Sequence, residues 1–174
     1  MSASVTPTQD SIFIGLRAFV LTLITTEVIQ GLGNRVATPK GSFITMTATL
    51  QNRLATNISS YNDPGIGVGT KAVMQPTKYT VQIDCYGPLS SDWATIITAM
   101  WRDTYGCEQL APYNMQPLQA DNPAQMALVD GEDEYEQRWM ITAELQANPV
   151  IVVAQEFADS VKIGIVNVEA TYPL

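Results

Sequence analysis

The sequence predicts an α+β fold, a single domain with a mostly antiparallel sheet and two main helices packed on one face. Three observations predict it. The chain has 174 residues, which fits one domain over residues 1–174. Two segments space their apolar residues three and four apart, as amphipathic helices do. The other regular segments alternate apolar and polar residues, and the order is helix, strand, strand, helix, strand, strand, strand.

The first helix is predicted over about residues 9–30. Thr8 suits the N-cap, Asp10 would lie in the first turn, and Gly31 and Gly33 predict the end of the helix. Its apolar face is predicted to comprise Ile12, Phe13, Leu16, Phe19, Val20, Leu23, Ile24 and Val28.

Two alternating strands follow, separated by a segment rich in Gly and Pro. That segment predicts a long loop near 62–76. The residues of the two strands that share the inward phase are Ile44, Met46, Ala48, Leu50, Tyr79, Val81, Ile83 and Cys85.

The second helix is predicted to begin at a cap formed by Ser90 or Ser91 and to stop at Gly106. Its apolar stripe comprises Trp93, Ile96, Ile97, Met100 and Trp101. Residues 108–129 predict a second long loop, either an irregular connection or one that contains a short strand. The last strands are predicted in "EYEQRWMITAELQAN", "PVIVVAQEF" and "SVKIGIVNVEATYP".

Charge is distributed unevenly along the chain. Residues 1–87 carry six basic and four acidic residues, a net charge of +2, whereas residues 88–174 carry three basic and thirteen acidic residues, a net charge of −10. Such asymmetry is typical of proteins that interact with partners. The overall charge of −8 argues against a protein that grips nucleic-acid phosphates with clustered Lys and Arg.

Few residues are available for catalysis or metal binding. The chain has no histidine and two cysteines, so it lacks the commonest general base, a Cys–His nucleophile and a structural zinc site. The stretch "GIGVGT" has Thr70 where a dinucleotide fingerprint needs its third glycine. No cofactor is predicted. The absence of a basic n-region and of a spanning apolar stretch predicts a soluble, cytoplasmic product.

The stretch "LVDGEDEYEQRW" concentrates five carboxylates in seven residues: Asp130, Glu132, Asp133, Glu134 and Glu136. A calcium-binding EF-hand loop needs glycine at its sixth position and glutamate at its twelfth, but Tyr135 and Ile141 stand there. Because neighbouring strand residues point to opposite faces, a catalytic carboxylate pair is disfavoured as well. We therefore predict no metal site and no enzyme.

Three segments carry a family likeness: "YTVQIDCYGPLSSDWATIITAMWRDTYGCEQLAP", "YEQRWMITAEL" and "IVNVEATYP". They contain a strand that ends in aromatic-Gly, a helix that ends in a Trp-containing turn, a strand that opens with Gln-Arg-aromatic and a final V-x-A-x-x-P strand. Over most of residues 8–173 the sequence thus resembles the neck, or tail terminator, proteins of long-tailed bacteriophages, which join head to tail.

The resemblance implies a structural virion protein made in the host bacterial cytoplasm. It implies a homo-oligomeric ring, usually a hexamer, that caps the tail tube, stops its polymerisation and contacts the head-side connector protein. DNA would pass through its channel without specific binding, and no membrane would be involved. Two alternatives stay open, another head–tail adaptor such as a head-completion or minor tail protein, and a non-viral enzyme of unrecognised type.

The acidic stretch has three interpretations. Its carboxylates line the DNA channel, or pair with basic residues of a neighbouring subunit, or form a solvated strand end that protects an edge. The two long loops are the other candidate contact surfaces, because long loops in compact domains usually serve function. Their candidate contact residues are Pro64, Gly65, Ile66, Gly67, Val68, Gly69, Tyr113 and Met115.

Overall fold

A computed structural model of the protein describes residues 2–32, 39–126, 128–129, 135–158, 160 and 163–164. Its elements in chain order are β1 (Ser4–Thr6), α1 (Gln9–Leu23), β2 (Glu27–Gln30), β3 (Phe43–Arg53), β4 (Ile58–Asn62), β5 (Gly69–Met74), β6 (Thr77–Tyr86), α2 (Ser90–Trp101), α3 (Thr104–Leu110), a 3-10 turn (Ala111–Tyr113), β7 (Met115–Ala120), β8 (Ala124–Gln125), β9 (Leu128–Val129), β10 (Tyr135–Glu136), β11 (Arg138–Ala147) and β12 (Val150–Gln155).

The strands form two main sheets. The body sheet has the order β2-β3-β6-β11-β7, with β8 paired to β11, and the arm sheet has the order β1-β12-β5-β4. Every pair is antiparallel except β2 with β3. β9 and β10 form a separate two-stranded antiparallel sheet. The predicted α+β class with a mostly antiparallel sheet is confirmed.

The arm sheet is an extension of the body sheet. β3 leads into β4, β5 leads into β6 and β11 leads into β12, each across a short break. Pro76 and Pro149 lie at two of these breaks, where a residue without an N–H interrupts the ladder. Two backbone hydrogen bonds bridge the junction, from Leu54 N to Pro76 O at 2.8 Å and from Gln75 N to Pro149 O at 2.9 Å. Three strands therefore run through both sheets.

The core lies between the helices and one face of the body sheet. Phe19 of α1 meets Trp101 of α2 edge-to-face, with ring centroids 5.6 Å apart. Burying such side chains stabilises the fold by about 1.5–3 kcal/mol each. No described residue of the arm sheet belongs to this core. The largest fully buried side chains of the core are Leu16, Phe19, Val20, Ile44, Met46, Val81, Ile83, Ile97, Trp101, Leu110, Ile141 and Leu145.

The first helix is shorter than predicted. Thr8 does cap it, accepting from Ser11 N, but α1 ends at Leu23, and Val28 lies in β2 beside β3. Val28 is buried in β2, as it would be in a longer helix, so the spacing of apolar residues could not reveal that the helix ends at Leu23. Gly31 therefore follows a strand and donates to Met46 O at 2.7 Å. Gly33, the other predicted stop, lies outside the described residues.

The second helix also differs from its prediction. Leu89 occupies the N-cap without a side-chain hydrogen bond, so neither Ser90 nor Ser91 caps α2. The helix ends at Trp101, and Gly106 lies inside α3 instead of stopping α2. A side chain at Gly106 would come within 2.7 Å of Met100 O, so glycine allows α3 to pack against the end of α2.

The predicted long loops were too broad. Within 62–76, β4 ends at Asn62 and β5 takes up Gly69–Met74, which leaves a hairpin tip at 63–68. Residues 108–129 contain the end of α3, the 3-10 turn, β7, β8 and β9. β7 contributes buried residues to the core. The polar residues between them hide the apolar pattern of this strand in the sequence. Most of the predicted final strand, "SVKIGIVNVEATYP", lies outside the described residues.

Candidate assembly surface

The acidic stretch is described only in part. Asp130, Glu132, Asp133 and Glu134 lie outside the described residues. Glu136 lies in β10, paired with Leu128 of β9, and borders a surface hollow of about 330 Å³. The hollow is also lined by Gly41, Ser42, Gly87, Pro88 and Gln137.

A buried ion pair fixes the strand that follows the acidic stretch. Arg138 donates from Nε and Nη2 to Asp84 Oδ1 at 3.0 and 2.9 Å. Gln82 Nε2 donates to Oδ1 and Oδ2 of the same carboxylate at 3.1 and 2.8 Å. The Asp84 side chain is only 4% exposed, so these donors replace the water it lost on folding.

Two aromatic rings pack beside this ion pair. The Arg138 guanidinium lies over Tyr86 at 5.7 Å, and Tyr86 stacks on Phe43 with centroids 4.4 Å apart. Burial raises the pKa of Tyr86, and the neighbouring Asp84 carboxylate raises this pKa further. The Tyr86 ring and the Asp84 carboxylate together hold the Arg138 guanidinium, so β11 starts from a fixed position.

The body sheet presents a polar face on the side opposite the core. The second basic residue on this face, Lys78, bonds Glu144 at 2.6 Å. Among the described residues of this face, both cations, Arg138 and Lys78, are paired with carboxylates, so neither is free to hold a phosphate. The polar residues of this face include Thr45, Thr47, Lys78, Thr80, Gln82, Asp84, Arg138, Thr142, Glu144 and Gln146, which are half-buried except for the buried Asp84.

The tip of the β4–β5 hairpin contains most of the predicted contact residues of the first loop. Pro64, Gly65, Ile66, Gly67 and Val68 are all exposed, with Ile66 at 94%. Gly65 and Gly67 adopt φ angles of +74° and +92°, which glycine tolerates best. An ordered turn thus presents an apolar side chain to the surroundings.

Two other residues predicted for contact lie inside the protein. Gly69 begins β5 and is buried so closely beneath Phe157 that a side chain at this position would collide with the ring. Met115 begins β7 and is 3% exposed, packed beside Gly15 of α1. The prediction of Met115 as a surface contact was wrong, because its segment is a core strand and not a loop. Tyr113 is half-buried against the core.

A longer surface emerges around the tip. Residues 49–68, here called the exposed segment, are exposed without interruption although they include regular strand. Single exposed apolar residues are ordinary, but six large ones within twenty consecutive residues indicate an interaction surface. Its large apolar residues are Leu50, Leu54, Ile58, Tyr61, Ile66 and Val68, each 47–94% exposed.

Sequence reasoning missed most of this segment and the ion pair. Leu50 was predicted to point inward, but a register shift between Ala48 and Leu50 precedes the point where β3 leaves the core. Asp84 and Arg138 stand on the outward phase of two strands. Their contact follows from the register that sets Arg138 opposite Tyr86, which no spacing within one strand reveals.

No catalytic arrangement is evident in the part of the chain that the structure describes. Burial, aided by the Asp84 carboxylate, raises the pKa of Cys85 to about 12, so its thiol is neutral and inert. No group of three or more metal-binding side chains occurs among the described residues. The described helices also include none that is long and apolar enough to cross a membrane.

Comparison with known proteins gives one finding. A family model described as "Phage neck terminator protein" matches residues 10–169, which is nearly the whole chain. A search of the curated proteins finds no significant match.

Proposed function

The chain belongs to the phage neck terminator protein family, and on this premise we propose that it forms a hexameric ring that caps the tail tube. It is a structural component of the virion neck. In the proposed role the ring stops polymerisation of the tube protein, contacts the head-side connector protein and leaves a channel through which DNA passes without specific binding. The protein performs no catalysis in this role.

The exposed segment is the observation that supports assembly most directly. Six large apolar side chains on twenty consecutive exposed residues would cost solubility in a monomer. Their burial against other subunits would remove that cost and supply binding energy, at roughly 25 cal/mol per Å² of apolar surface. Because residues 49–53 and 58–62 of the segment lie in β3 and β4, these parts lose little conformational entropy when a partner binds.

The distribution of charge supports a ring of identical subunits. In such a ring one surface of a subunit meets a different surface of its neighbour. The net charge is +2 for residues 1–87 and −10 for residues 88–174, so segments of opposite charge from neighbouring subunits would attract each other. The paired cations of the polar face are compatible with DNA passage, since unpaired Lys and Arg would hold phosphates.

Ring formation is tested on the purified protein and on isolated tails. Light scattering after size-exclusion chromatography measures the mass in solution, and electron microscopy shows whether rings have a central hole. We expect rings in solution or, if the tube acts as template, a ring of this protein at the tail end nearest the head. A protein that binds elsewhere along the tail would instead support a minor tail protein.

The hairpin tip is proposed to contact the tube or the connector. The variant Ile66→Ser should weaken binding of the protein to tails and leave its folding unchanged. Ile14→Ser is the matched control, because Ile14 is also exposed, at 62%, but lies on α1 away from the tip. Equal binding of both variants in a tail pull-down would remove the tip from the contact surface.

For the acidic stretch we propose that its carboxylates face the channel and repel DNA phosphates. Replacing Glu132, Asp133 and Glu134 by lysine should slow DNA ejection while rings remain intact; normal ejection would argue against a channel position. If the carboxylates instead pair with a neighbouring subunit, high salt should dissociate the assembly, because salt screens exposed ion pairs. Sedimentation at low and high salt distinguishes the two positions.

A further inference from the structure

The strands that the structure describes leave two edges of the arm sheet without a further partner. Among the described residues β4 pairs only with β5, and β1 pairs only with β12. Every residue of both edge strands is exposed. Unpaired edges are sites where another strand adds, and soluble proteins usually protect them with charged residues or proline. Ser4–Thr6 and Ile58–Asn62 contain neither.

None of the described arm-sheet residues belongs to the helix-covered core that stabilises the body sheet. The aligned residues Val5, Ile151 and Val73 lie on one face, and the next row, with Val150 and Met74, lies on the other. The residues of β5 and β12 in both rows are half-buried, and none belongs to the core. A small sheet with partly open apolar faces gains stability when further strands extend it.

The strand directions determine which partner fits. All three pairings in the order β1-β12-β5-β4 are antiparallel, so β1 and β4 run in opposite directions. If a second copy continues the sheet, its β1 lies antiparallel to β4 of the first, and the same junction can repeat. Each copy then uses two different edges, which is the head-to-tail contact that a closed ring requires.

We propose that copies of this chain join through the arm sheet, with β4 of one subunit paired antiparallel to β1 of the next. This inference rests on the proposed ring and identifies its subunit contact. If the strands of the two copies pair without an offset, the row of opposite residues Val5, Ile151, Val73 and Ser59 continues from one copy to the next. Val5 of one subunit therefore lies opposite Ser59 of its neighbour.

Cysteine crosslinking tests the contact without relying on a destabilised variant. In a Cys107→Ser background, Val5→Cys protein is mixed with Ser59→Cys protein, both as purified protein and in assembled tails. A short bismaleimide should link the two variants into dimers, and one chain that carries both cysteines should give a ladder up to the full ring. Pairing Val5→Cys with Ala99→Cys, at an exposed position of α2, is the control and should give no dimer.

Charge substitutions supply an independent measurement. Like charges opposite each other in a sheet are unfavourable and opposite charges are favourable. The variant Val5→Lys/Ser59→Lys should therefore lose ring formation while its circular dichroism stays unchanged, and Val5→Lys/Ser59→Glu should regain rings. Rings that form without the crosslink and resist both lysines would overturn this contact but leave the ring itself. The absence of rings from solution and from tails would overturn both proposals.

Discussion

The ion pair between Arg138 and Asp84 gives the sharpest prediction for stability. Replacing Arg138 by alanine removes both guanidinium hydrogen bonds from a carboxylate whose side chain is 4% exposed. The cost arises chiefly because a buried charge loses its counter-charge, and only secondarily from the attraction that is lost.

The magnitude follows from the surroundings of the pair. Breaking a fully buried pair typically costs about 3–5 kcal/mol. Here Arg138 is 20% exposed and Gln82 still donates to both carboxylate oxygens, so water and an amide would compensate in part. We expect a loss of about 2–3 kcal/mol in the free energy of unfolding, which lowers the melting temperature of a chain this size by roughly 5–10 °C.

Urea unfolding at pH 7 measures this loss, with Lys78→Ala as the matched control. Lys78 and Glu144 bridge the same two strands, but their side chains are 25% and 28% exposed, so breaking that pair should cost at most about 1 kcal/mol. A loss for Arg138→Ala no larger than that for Lys78→Ala would refute the reasoning. The binding of Arg138→Ala to tails can also be measured at a temperature where the variant is folded. Weaker binding would show that the Arg138–Asp84 ion pair also positions the acidic stretch.

Two further predictions concern a glycine and a cysteine. Gly87→Ala should cost about 2–4 kcal/mol in urea unfolding, because φ is +104° and the new methyl would collide with Ser42, whereas Gly41→Ala, at φ +84° in open space, should cost about 1–2 kcal/mol; equal losses would contradict the collision. Iodoacetamide at pH 8 should modify Cys107 and spare Cys85, whose pKa is raised to about 12, as mass spectrometry of folded and urea-unfolded protein would show. Rapid labelling of Cys85 in the folded protein at pH 8 would refute its protection. Because the pKa of the Cys85 thiol is higher in the folded than in the unfolded protein, its stabilising contribution is complete below about pH 9 and is lost as pH rises toward 12.

The sequence predicted the elements whose burial follows a single period. The inward phase of β6, from Tyr79 to Cys85, and the N-cap at Thr8 are observed as predicted. The transition from α1 to β2 was missed, because Val28 is buried as part of either element. What decides between them is pairing with β3, a contact between distant segments.

The candidate surface was harder to predict for a related reason. The exposed tip around Ile66 was found from its glycines and proline, which signal a turn in any context. Leu50 and Ile58 look like core residues in the sequence, and only the departure of β3 and β4 from the helices makes them exposed. The extension of one sheet beyond its helices depends on how the strands pair, which local patterns do not encode.

The measurement that tests the central claim most directly is electron microscopy of tails assembled with and without this protein. With the protein, we predict tubes of uniform length that each end in a ring of added density at the end nearest the head. Without it, we predict tubes of variable length that lack this ring and do not join heads. Tubes of uniform length that join heads in its absence would contradict the proposed role as the terminator of the tail tube.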